Sequence, residues 1–295
     1  MCSKNWIYGK NVIITGTSSG MGLEMAKLLS SKYFCHVYGC GRSLKKLENS
    51  KKIIDEEIEK CFASSNQKTK LKFGKGTYNF FQADVSSFES FSEFKSKLDA
   101  LSFKADIVIN NAGIMPAFER FETQSIETAR KVLDTNFFSQ VYSYKLFVSD
   151  LKETHGAFYS VSSASALCPI VGASLYSASK SAIKNFVEAI RVEHKKDFLV
   201  GIVFPGFVST DLFREEKQIS KLVKSFSMPA PKMAKKIVGT IKRRKKRAVF
   251  GFDGKLLNLL YKFFPKSTPQ TISNVLEASH DPMFDKVYGN KKEQK

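Results

Sequence analysis

Residues 15–22 of the chain read Thr-Gly-Thr-Ser-Ser-Gly-Met-Gly and follow the apolar run Val12–Thr15. The glycines at 16, 20 and 22 allow a tight turn and a close approach of the backbone to a pyrophosphate. The N-terminus of a helix that starts there offers free N–H groups to the same anion. The pattern therefore predicts a nucleotide-binding turn, with an ordinary glycine-rich link between a strand and a helix as the alternative.

Short apolar runs alternate with longer segments of helical periodicity along most of the chain. We predict buried strands at Val12–Thr15, Cys35–Cys40, Tyr78–Gln82, Ile107–Asn110, Ala157–Val161, Leu199–Phe204 and Ala248–Phe252. We predict helices at Gly22–Ser30, Leu44–Glu59, Phe88–Leu101, Thr128–Leu151 and Leu175–His194. This alternation predicts an α/β fold with a doubly wound parallel sheet and helices on both faces, whose ligands bind where the strands end.

The domain organisation follows from where this alternation weakens. We expect one domain over residues 1–252, including a substrate lid at 211–229, and a C-terminal helical, basic extension over 253–295. The polar segment Ser64–Gly76 is interpreted as a mobile surface loop.

The charge balance is strongly basic, with 47 Lys and Arg against 28 Asp and Glu and a net charge of +19. Such a charge suits an anionic cofactor, an anionic surface or a nucleic acid. The five cysteines have no metal-like spacing, so we expect no metal, and their odd number indicates reduced thiols in a cytosol. Met1–Lys10 lacks the apolar core of a signal peptide, and the sequence predicts a cytoplasmic protein.

The end of the second predicted strand bears on the identity of the nucleotide. It reads Gly-Cys-Gly-Arg-Ser over residues 39–43, without the carboxylate that would hydrogen-bond the ribose hydroxyls of NAD. Arg42 can clamp a 2′-phosphate through its planar guanidinium, and Ser43 is either a further donor or the N-cap of the next helix. We therefore predict NADP(H), the alternative for Arg42 being a solvated cation at a helix start.

Tyr176 and Lys180 stand four residues apart on a predicted helix, so their side chains share a face. A nearby ammonium favours the phenolate and lowers the pKa of a tyrosine from about 10 toward the working range of a general acid or base. Ser163 follows the strand Ala157–Val161, where its hydroxyl can hold a carbonyl oxygen, although a turn serine is the alternative. Asn110-Asn111-Ala112-Gly113 ends another strand, where its amides can brace the sheet.

Together these motifs resemble the short-chain dehydrogenase/reductase family, an NADP(H)-preferring Rossmann-fold group. The resemblance rests on TGTSSGMG at 15–22, NNAG at 110–113, Ser163, YSASK at 176–180 and PGFVST at 205–210, in the order and spacing of that family. It covers residues 8 to 212. One departure is that SSASA lacks the frequent glycine after the catalytic serine.

The resemblance implies a role for each matching position. Tyr176 is the acid and base, Lys180 lowers its pKa and holds the nicotinamide ribose, and Ser163 orients the reacting oxygen. Asn136 holds a water for proton relay. The implied cofactor-binding residues are Gly16, Thr17, Ser18, Ser19, Gly20, Met21, Gly22, Arg42, Ser43, Asp84, Val85, Asn111, Ala112, Gly113, Tyr176, Lys180, Pro205, Gly206, Val208 and Thr210.

The substrate side is predicted to be apolar. A lid with apolar residues on one face follows Thr210, and Ala117-Phe118 and Leu167–Ile170 would supply further walls, although such residues can equally be core. We therefore expect a lipophilic carbonyl or alcohol of the steroid, retinoid or acyl class. The resemblance further implies a homodimer or homotetramer.

The C-terminal part joins six consecutive cations, Lys242–Arg247, to an apolar group within 256–264 that three lysines flank. The cations can be a solvated helix end, and the apolar group can dock on the body or at a dimer contact. The alternative is that this segment is a peripheral membrane anchor. Two functions then remain open for the chain: an enzyme, or a catalytically silent nucleotide-binding scaffold that acts through its tail at a membrane surface. We do not expect nucleic-acid binding, because no RNA- or DNA-binding motif is visible.

Overall fold

The computed structural model describes residues 6–209 and 227–289. A sheet of seven parallel strands runs through this part of the chain in the order β3-β2-β1-β4-β5-β6-β9. Its strands are β1 Asn11–Thr15, β2 His36–Gly41, β3 Thr77–Gln82, β4 Ile107–Asn110, β5 Ala157–Val161, β6 Leu199–Pro205 and β9 Arg247–Phe250. β7 Val208–Ser209 and β8 Met228–Pro229 form a separate parallel pair. The predicted strands are confirmed, with bounds that shift by one or two residues.

Helices cover both faces of the sheet. They are α1 Gly20–Lys32, α2 Leu44–Ser64, α3 Gln67–Phe73, α4 Phe88–Ala100, α5 Ile126–Leu133, α6 Ser139–Glu153, α7 Ser174–Glu193, α8 Ala230–Lys242, α9 Phe252–Phe263, α10 Ser267–Ala278 and the single turn α11 Asp285–Tyr288. Because both faces are covered, consecutive residues of β1 such as Ile13 and Ile14 are fully buried on opposite sides. Ile14 packs with α1 and α8, and Ile13 packs with α4, α6 and α7. The fold is a doubly wound, Rossmann-like α/β sheet with a helical C-terminal region, as predicted.

The topology places the ligand-binding edge between β1 and β4. The chain moves outward from β1 to β2 and β3 and then returns to β4 on the other side of β1, with Val12 opposite both Val37 and Ile107. A crevice forms at such a reversal, outside the carboxyl ends of the strands. The glycine-rich turn after β1 and the Asn-Asn-Ala-Gly stretch after β4 therefore lie side by side.

The interpretation of Ser64–Gly76 as a mobile loop is wrong. α2 extends to Ser64, and Gln67–Phe73 forms α3. The Asn66 side chain caps α3 by accepting a hydrogen bond from the Thr69 N–H at 2.9 Å, and Gly74 ends it with a φ of 68°. Phe73 stacks against Tyr8 and Phe34, so a tertiary contact fixes a segment whose composition indicates a loop.

The single helix predicted at Thr128–Leu151 is interrupted. α5 ends at Leu133, Asp134–Phe138 forms one π-helical turn, and α6 continues from Ser139. Such π-turns inside helices are frequent at functional sites, and this one carries Asn136.

Two cations of Lys242–Arg247 pack on aromatic rings of the first 33 residues, while Arg243, Lys245, Lys246 and Arg247 are exposed. Lys242 lies 5.5 Å and 5.3 Å from the ring centroids of Tyr8 and Tyr33, and Arg244 stacks on Trp6 at 4.6 Å. The Trp6 indole N–H also donates to the Lys242 carbonyl. No helix within 6–209 and 227–289 is both long and apolar enough to cross a bilayer.

Candidate functional site

A cleft of about 380 Å³ opens at the end of β1 and β4. It is lined by Gly16, Ser18, Ser19, Gly20, Met21, Gly41, Arg42, Lys46, Ala83, Asp84, Val85, Asn111, Ala112, Gly113, Ile114, Met115, Thr135, Val161, Ser162, Tyr176 and Lys180. Most cofactor-binding residues implied by the resemblance therefore meet in one place, although they come from five separate stretches of the chain.

The glycine-rich turn forms one wall of this cleft by close backbone packing. A Cβ on Gly22 would stand 2.0 Å from the Gly16 carbonyl oxygen, so α1 can approach the turn only with glycine there. The Asn111 side chain donates to the carbonyl oxygens of Thr15 and Gly16, which braces the turn against β4 as the sequence predicts. An extended anionic ligand fits beside such a turn, with a phosphate at the N-terminus of α1.

Two predicted members of the turn do not line the cleft. Thr17 is fully buried, and its hydroxyl accepts a hydrogen bond from the Tyr78 hydroxyl at 2.8 Å. Gly22 packs on Gly16 instead of facing the cleft. Both residues serve the packing of the turn. The sequence motif alone could not distinguish this packing role from contact with a ligand.

The far end of the cleft carries two cations. Arg42 lines it at the end of β2, and Lys46 lines it from the first turn of α2. Ser43 is the N-cap residue of α2 and is not among the lining residues. Lys46, in the first turn of α2 and four residues after Arg42, escaped the sequence analysis.

Asp84 and Val85 line the cleft after β3. The Asp84 carboxylate accepts hydrogen bonds from the N–H and the hydroxyl of Ser86, at 3.0 Å and 2.6 Å. It therefore shapes the turn that leads into α4 as well as facing the cleft.

Tyr176 stands at the other end of the cleft, with Ser163 and Lys180. Tyr176 and Lys180 lie one turn apart on α7, with the Lys180 Nζ 5.6 Å from the Tyr176 ring centroid. The Ser163 hydroxyl accepts a hydrogen bond from the Ser165 N–H at 3.2 Å, and Ser163 also acts to lower the pKa of Tyr176. The Lys180 ammonium donates to the Val161 carbonyl at 3.2 Å, which holds it at the end of β5.

Burial dominates the ionisation of this pair. The loss of hydration raises the pKa of Tyr176 to about 12, while the Ser163 side chain acts in the opposite direction. The same cause lowers the pKa of Lys180 to about 8. The sequence predicts that Lys180 lowers the pKa of Tyr176, whereas in the structure burial raises it and Ser163, not Lys180, acts against that rise. Tyr176 therefore keeps its proton at neutral pH and is disposed to act as an acid.

Asn136 lies on the π-helical turn beside this group and is fully buried. Its side-chain oxygen accepts from the Ile114 N–H at 2.8 Å, and its amide donates to the Ile114 carbonyl and to the Ser179 hydroxyl. These bonds use both amide hydrogens and leave one lone pair on the oxygen. Its neighbour Gly113 is close to Lys180 as well, because a Cβ there would lie 3.3 Å from the Lys180 Nζ.

A second, mainly apolar cavity of about 60 Å³ adjoins the first at Tyr176. It is lined by Met21, Met115, Phe118, Ser162, Ser163, Ala164, Ser165, Ile170, Ala173, Tyr176, Pro205, Gly206, Phe207, Val208, Asp253 and Leu257. The predicted walls Phe118 and Ile170 line it, whereas Ala117, Leu167, Cys168 and Pro169 do not. Pro205, Gly206 and Val208 line this cavity rather than the larger cleft. Thr210 and residues 211–226 of the predicted lid lie outside the described residues.

The C-terminal region supplies part of this second cavity, which the sequence analysis missed. Asp253 and Leu257 line it from one face of α9. Met283, Phe284 and Val287 pack with Tyr176 and Phe118 in a buried apolar cluster. Arg120 donates from its Nε to the Val287 carbonyl at 2.8 Å, which ties the chain end to this cluster. No motif marks these residues, because their spacing signals only a helix and a turn.

The sequence model of the family described as "short chain dehydrogenase" matches residues 10–220 of the chain. Among curated proteins, the chain is 32% identical over 206 residues to "11-beta-hydroxysteroid dehydrogenase-like 2" of Arabidopsis thaliana. That match covers 70% of this chain and 61% of the relative, so the chain spans about three fifths of the relative's length.

Solved structures share the fold at lower identity. An alcohol dehydrogenase of the archaeon Thermococcus sibiricus, complexed with 5-hydroxy-NADP, superimposes with a TM-score of 0.68 at 22% identity, over 82% of this chain and 96% of the other. A short chain dehydrogenase of Burkholderia cenocepacia, in complex with NADP, gives a TM-score of 0.70 at 18% identity, over 90% and 98%.

Proposed function

Because this chain belongs to the short chain dehydrogenase family, whose members bind a nicotinamide cofactor, we propose that it is an NADP(H)-dependent oxidoreductase. It interconverts a carbonyl and an alcohol on a lipophilic substrate. The observation that carries this proposal is the position of Tyr176, which borders both the larger cleft and the apolar cavity. A cofactor in the first and a substrate in the second would meet at its hydroxyl.

Each residue of the group then has a chemical task. A nicotinamide held in the larger cleft would supply the hydride for the carbonyl carbon. Tyr176 gives its proton to the carbonyl oxygen, which Ser163 orients by a hydrogen bond, and the alcohol leaves with both new hydrogens. Lys180 holds the ribose and supports the phenolate that remains. Asn136 keeps one acceptor site, on which a water can return the proton to Tyr176.

The decisive experiment for this mechanism is the variant Tyr176→Phe. We expect loss of NADPH oxidation with a panel of steroid, retinoid and acyl ketones, because the phenyl ring has no proton to give. NADPH binding, followed by fluorescence titration, should remain within about twofold of the wild type, since the ring keeps its place. A Tyr176→Phe protein that retains full turnover would contradict the mechanism, and a wild type without turnover on any carbonyl would contradict the enzyme proposal.

The preference for NADP(H) over NAD(H) is supported by Arg42 and Lys46 at one end of the cleft. Two relatives of the same fold are described with NADP-type ligands. Arg42→Asp should weaken NADPH relative to NADH by about 1.5–3 kcal/mol, through loss of charge-assisted hydrogen bonds. Lys46→Ala should weaken it by a smaller amount, and Lys45→Ala, which removes an exposed charge beside the cleft, should leave the ratio unchanged. Equal affinities of the wild type for the two cofactors would contradict the assignment.

We propose in addition that the protein is cytoplasmic and touches an anionic membrane surface through α9. This helix exposes an apolar row in which Phe252 is 74%, Leu259 54% and Phe263 62% exposed. Lys255, Lys262 and Lys266 are exposed beside it, and anionic lipid headgroups attract such cations.

The membrane contact is tested by flotation with phosphatidylcholine vesicles that contain phosphatidylserine. The double variant Leu259→Ser/Phe263→Ser should stay in solution while the wild type floats. The matched control is Leu101→Ser/Val192→Ser, which removes two equally exposed apolar side chains elsewhere and should float. No flotation of the wild type at low salt would contradict the contact. A homodimer or homotetramer is expected from the family, and light scattering on a sizing column measures it.

A further inference from the structure

Asp253 is the one carboxylate among the described residues that line the apolar cavity with Ser163 and Tyr176. It occupies the second residue of α9, beyond residues 10–220 that match the family. Its Oδ2 accepts a hydrogen bond from the Phe207 backbone N–H at 2.8 Å. A carboxylate in a mostly apolar wall is costly to desolvate, so its presence there calls for a physical reason.

The carboxylate is fitted closely to the end of β6. A Cβ on Gly206 would lie 2.3 Å from both of its oxygens, and a Cβ on Gly251 would lie 2.1 Å from Oδ1. Gly251 also has a φ of 89°, which side chains rarely adopt. The Gly206 N–H donates to the Phe250 carbonyl at 2.9 Å. Residues 206–207 are therefore tied to residues 250–253 by two hydrogen bonds with glycines at the contact.

The electrostatic surroundings of the Asp253 carboxylate are consistent with a role in holding the backbone. Burial raises the pKa of Asp253, and the N–H groups of Phe207 and Gly254 act in the opposite direction. Oδ1 has no hydrogen-bond partner among the described residues. No lysine, arginine or histidine lines this part of the described cavity. Backbone N–H groups alone compensate the carboxylate, so it is directed at the main chain of Phe207 and not at a salt bridge.

The segment that Asp253 holds forms part of the wall of the cavity that Tyr176 also lines. Pro205, Gly206 and Phe207 all line the cavity, and the Phe207 side chain packs on the cluster that contains Tyr176, Phe118 and Phe284. A shift of the Phe207 backbone therefore moves the surface against which a substrate would rest. A displacement of about 1 Å at such a surface can cost about a hundredfold in rate.

We propose that Asp253 is a positioning residue: it fixes the Pro205–Phe207 wall, so that the C-terminal helix α9 sets which face of the substrate carbonyl meets the hydride. This inference rests on the proposed oxidoreductase function. It assigns to a residue outside the matched family region a part in the stereochemistry of the reaction.

The test compares Asp253→Ala with Asp253→Asn, using reduction of a prochiral aryl alkyl ketone by NADPH. Asp253→Asn keeps an oxygen that accepts the Phe207 N–H, whereas Asp253→Ala removes it. We expect Asp253→Ala to lower kcat by about tenfold to a hundredfold and to erode the enantiomeric excess of the alcohol. Asp253→Asn should keep kcat within about threefold and the enantiomeric excess near that of the wild type. NADPH affinity should stay unchanged in both variants.

A matched control is Leu257→Ala, which enlarges the same cavity from the same helix and leaves the hydrogen bond between Asp253 and the Phe207 N–H in place. It should raise KM for the ketone and leave the enantiomeric excess intact. The inference is overturned if Asp253→Ala keeps both kcat and enantiomeric excess, or if Asp253→Asn is as impaired as Asp253→Ala while both melt like the wild type. A wild type that reduces no carbonyl would instead remove the proposed function, and the inference with it.

Discussion

The cofactor cleft and the substrate cavity meet at Tyr176 but are built in different ways. The cleft is bounded by short motifs at the ends of β1, β2, β3 and β4, and its lining includes four glycines, which offer only backbone. The cavity is bounded by side chains from β5, β6, α7 and the C-terminal helix α9. Backbone recognition needs glycines and strand ends at fixed spacing, which a sequence displays. Side-chain recognition needs only bulk and polarity, which many sequences supply. The cofactor cleft can therefore be predicted from the sequence, whereas the substrate cavity depends on how the side chains pack in the fold.

Among variants that distinguish the cofactor cleft from the substrate cavity, Gly22→Ala is expected to have the largest effect. Its Cβ would stand 2.0 Å from the Gly16 carbonyl oxygen, so the turn must open. We expect NADPH binding to be lost and the free energy of unfolding to fall by more than about 4 kcal/mol. Calorimetry and urea unfolding measure the two quantities.

The control for this prediction is Gly239→Ala in α8, where the nearest atoms to a new Cβ belong to the Arg243 side chain at 3.6 Å. That variant should gain up to about 1 kcal/mol, because alanine favours a helix over glycine. If Gly22→Ala binds NADPH normally, the cleft does not depend on the close packing of its turn.

Phe284→Ala should affect the substrate cavity alone. Phe284 is 2% exposed, and its ring centroid lies 4.8 Å from that of Phe118 in the cluster around Tyr176. We expect a loss of about 3 kcal/mol of stability and a raised KM for the carbonyl, with NADPH affinity unchanged. Steady-state kinetics with each substrate varied in turn will separate the effects. The exposed Phe263→Ala is the control, and an equal rise in KM for NADPH would contradict the division.

Lys180 lines the cofactor cleft beside Tyr176, where the cleft meets the substrate cavity. Its titration makes the free energy of unfolding depend on pH. Its pKa is lowered by burial to about 8 from the ordinary 10.5, so above pH 8 the unfolded chain binds more protons than the folded one. Lys180 should therefore contribute a rise of the free energy of unfolding with pH, by at most about 1.4 kcal/mol per pH unit. From about pH 9 the buried thiols of Cys35, Cys40 and Cys168, whose pKa values burial raises, act in the opposite direction, and Tyr176 joins them above about pH 10. The Lys180 contribution is therefore measured as the difference from a variant that lacks the amine.

Urea unfolding at several pH values between 8 and 10 tests this slope. Lys180→Met should abolish the part that Lys180 contributes, so the difference between the wild type and the variant should grow with pH. Parallel curves for the two proteins would show that Lys180 is not desolvated in the folded state.

The smallest effect is expected from Asn66→Ala, remote from both the cleft and the cavity. It removes the cap of α3 and should cost about 1 kcal/mol of stability. Neither NADPH affinity nor KM for the carbonyl should change, which makes it the reference for a purely structural loss. A change in either constant would show that α3 communicates with the site.

Much of the fold was predictable from local pattern. The strands were recognised because parallel strands buried on both faces are continuous apolar runs, as in Ile107–Asn110. α3 was missed because its helical state depends on Phe73 packing against Tyr8 and Phe34, which lie far along the chain. The π-helical turn at Asn136 was missed as well, because the apolar period continues through it without a break.

The sequence by itself determined the doubly wound sheet and brought the glycine turn, the Asn-Asn-Ala-Gly stretch and the Tyr-Lys pair to one side of it. It could do so because strand ends and helical turns convert spacing directly into position. The tertiary structure alone decided the burial of Tyr176 and Lys180, the turning of Thr17 into the core and the arrival of Asp253 beside Ser163. Those outcomes depend on desolvation and on contacts between residues distant in the chain, to which no local pattern corresponds.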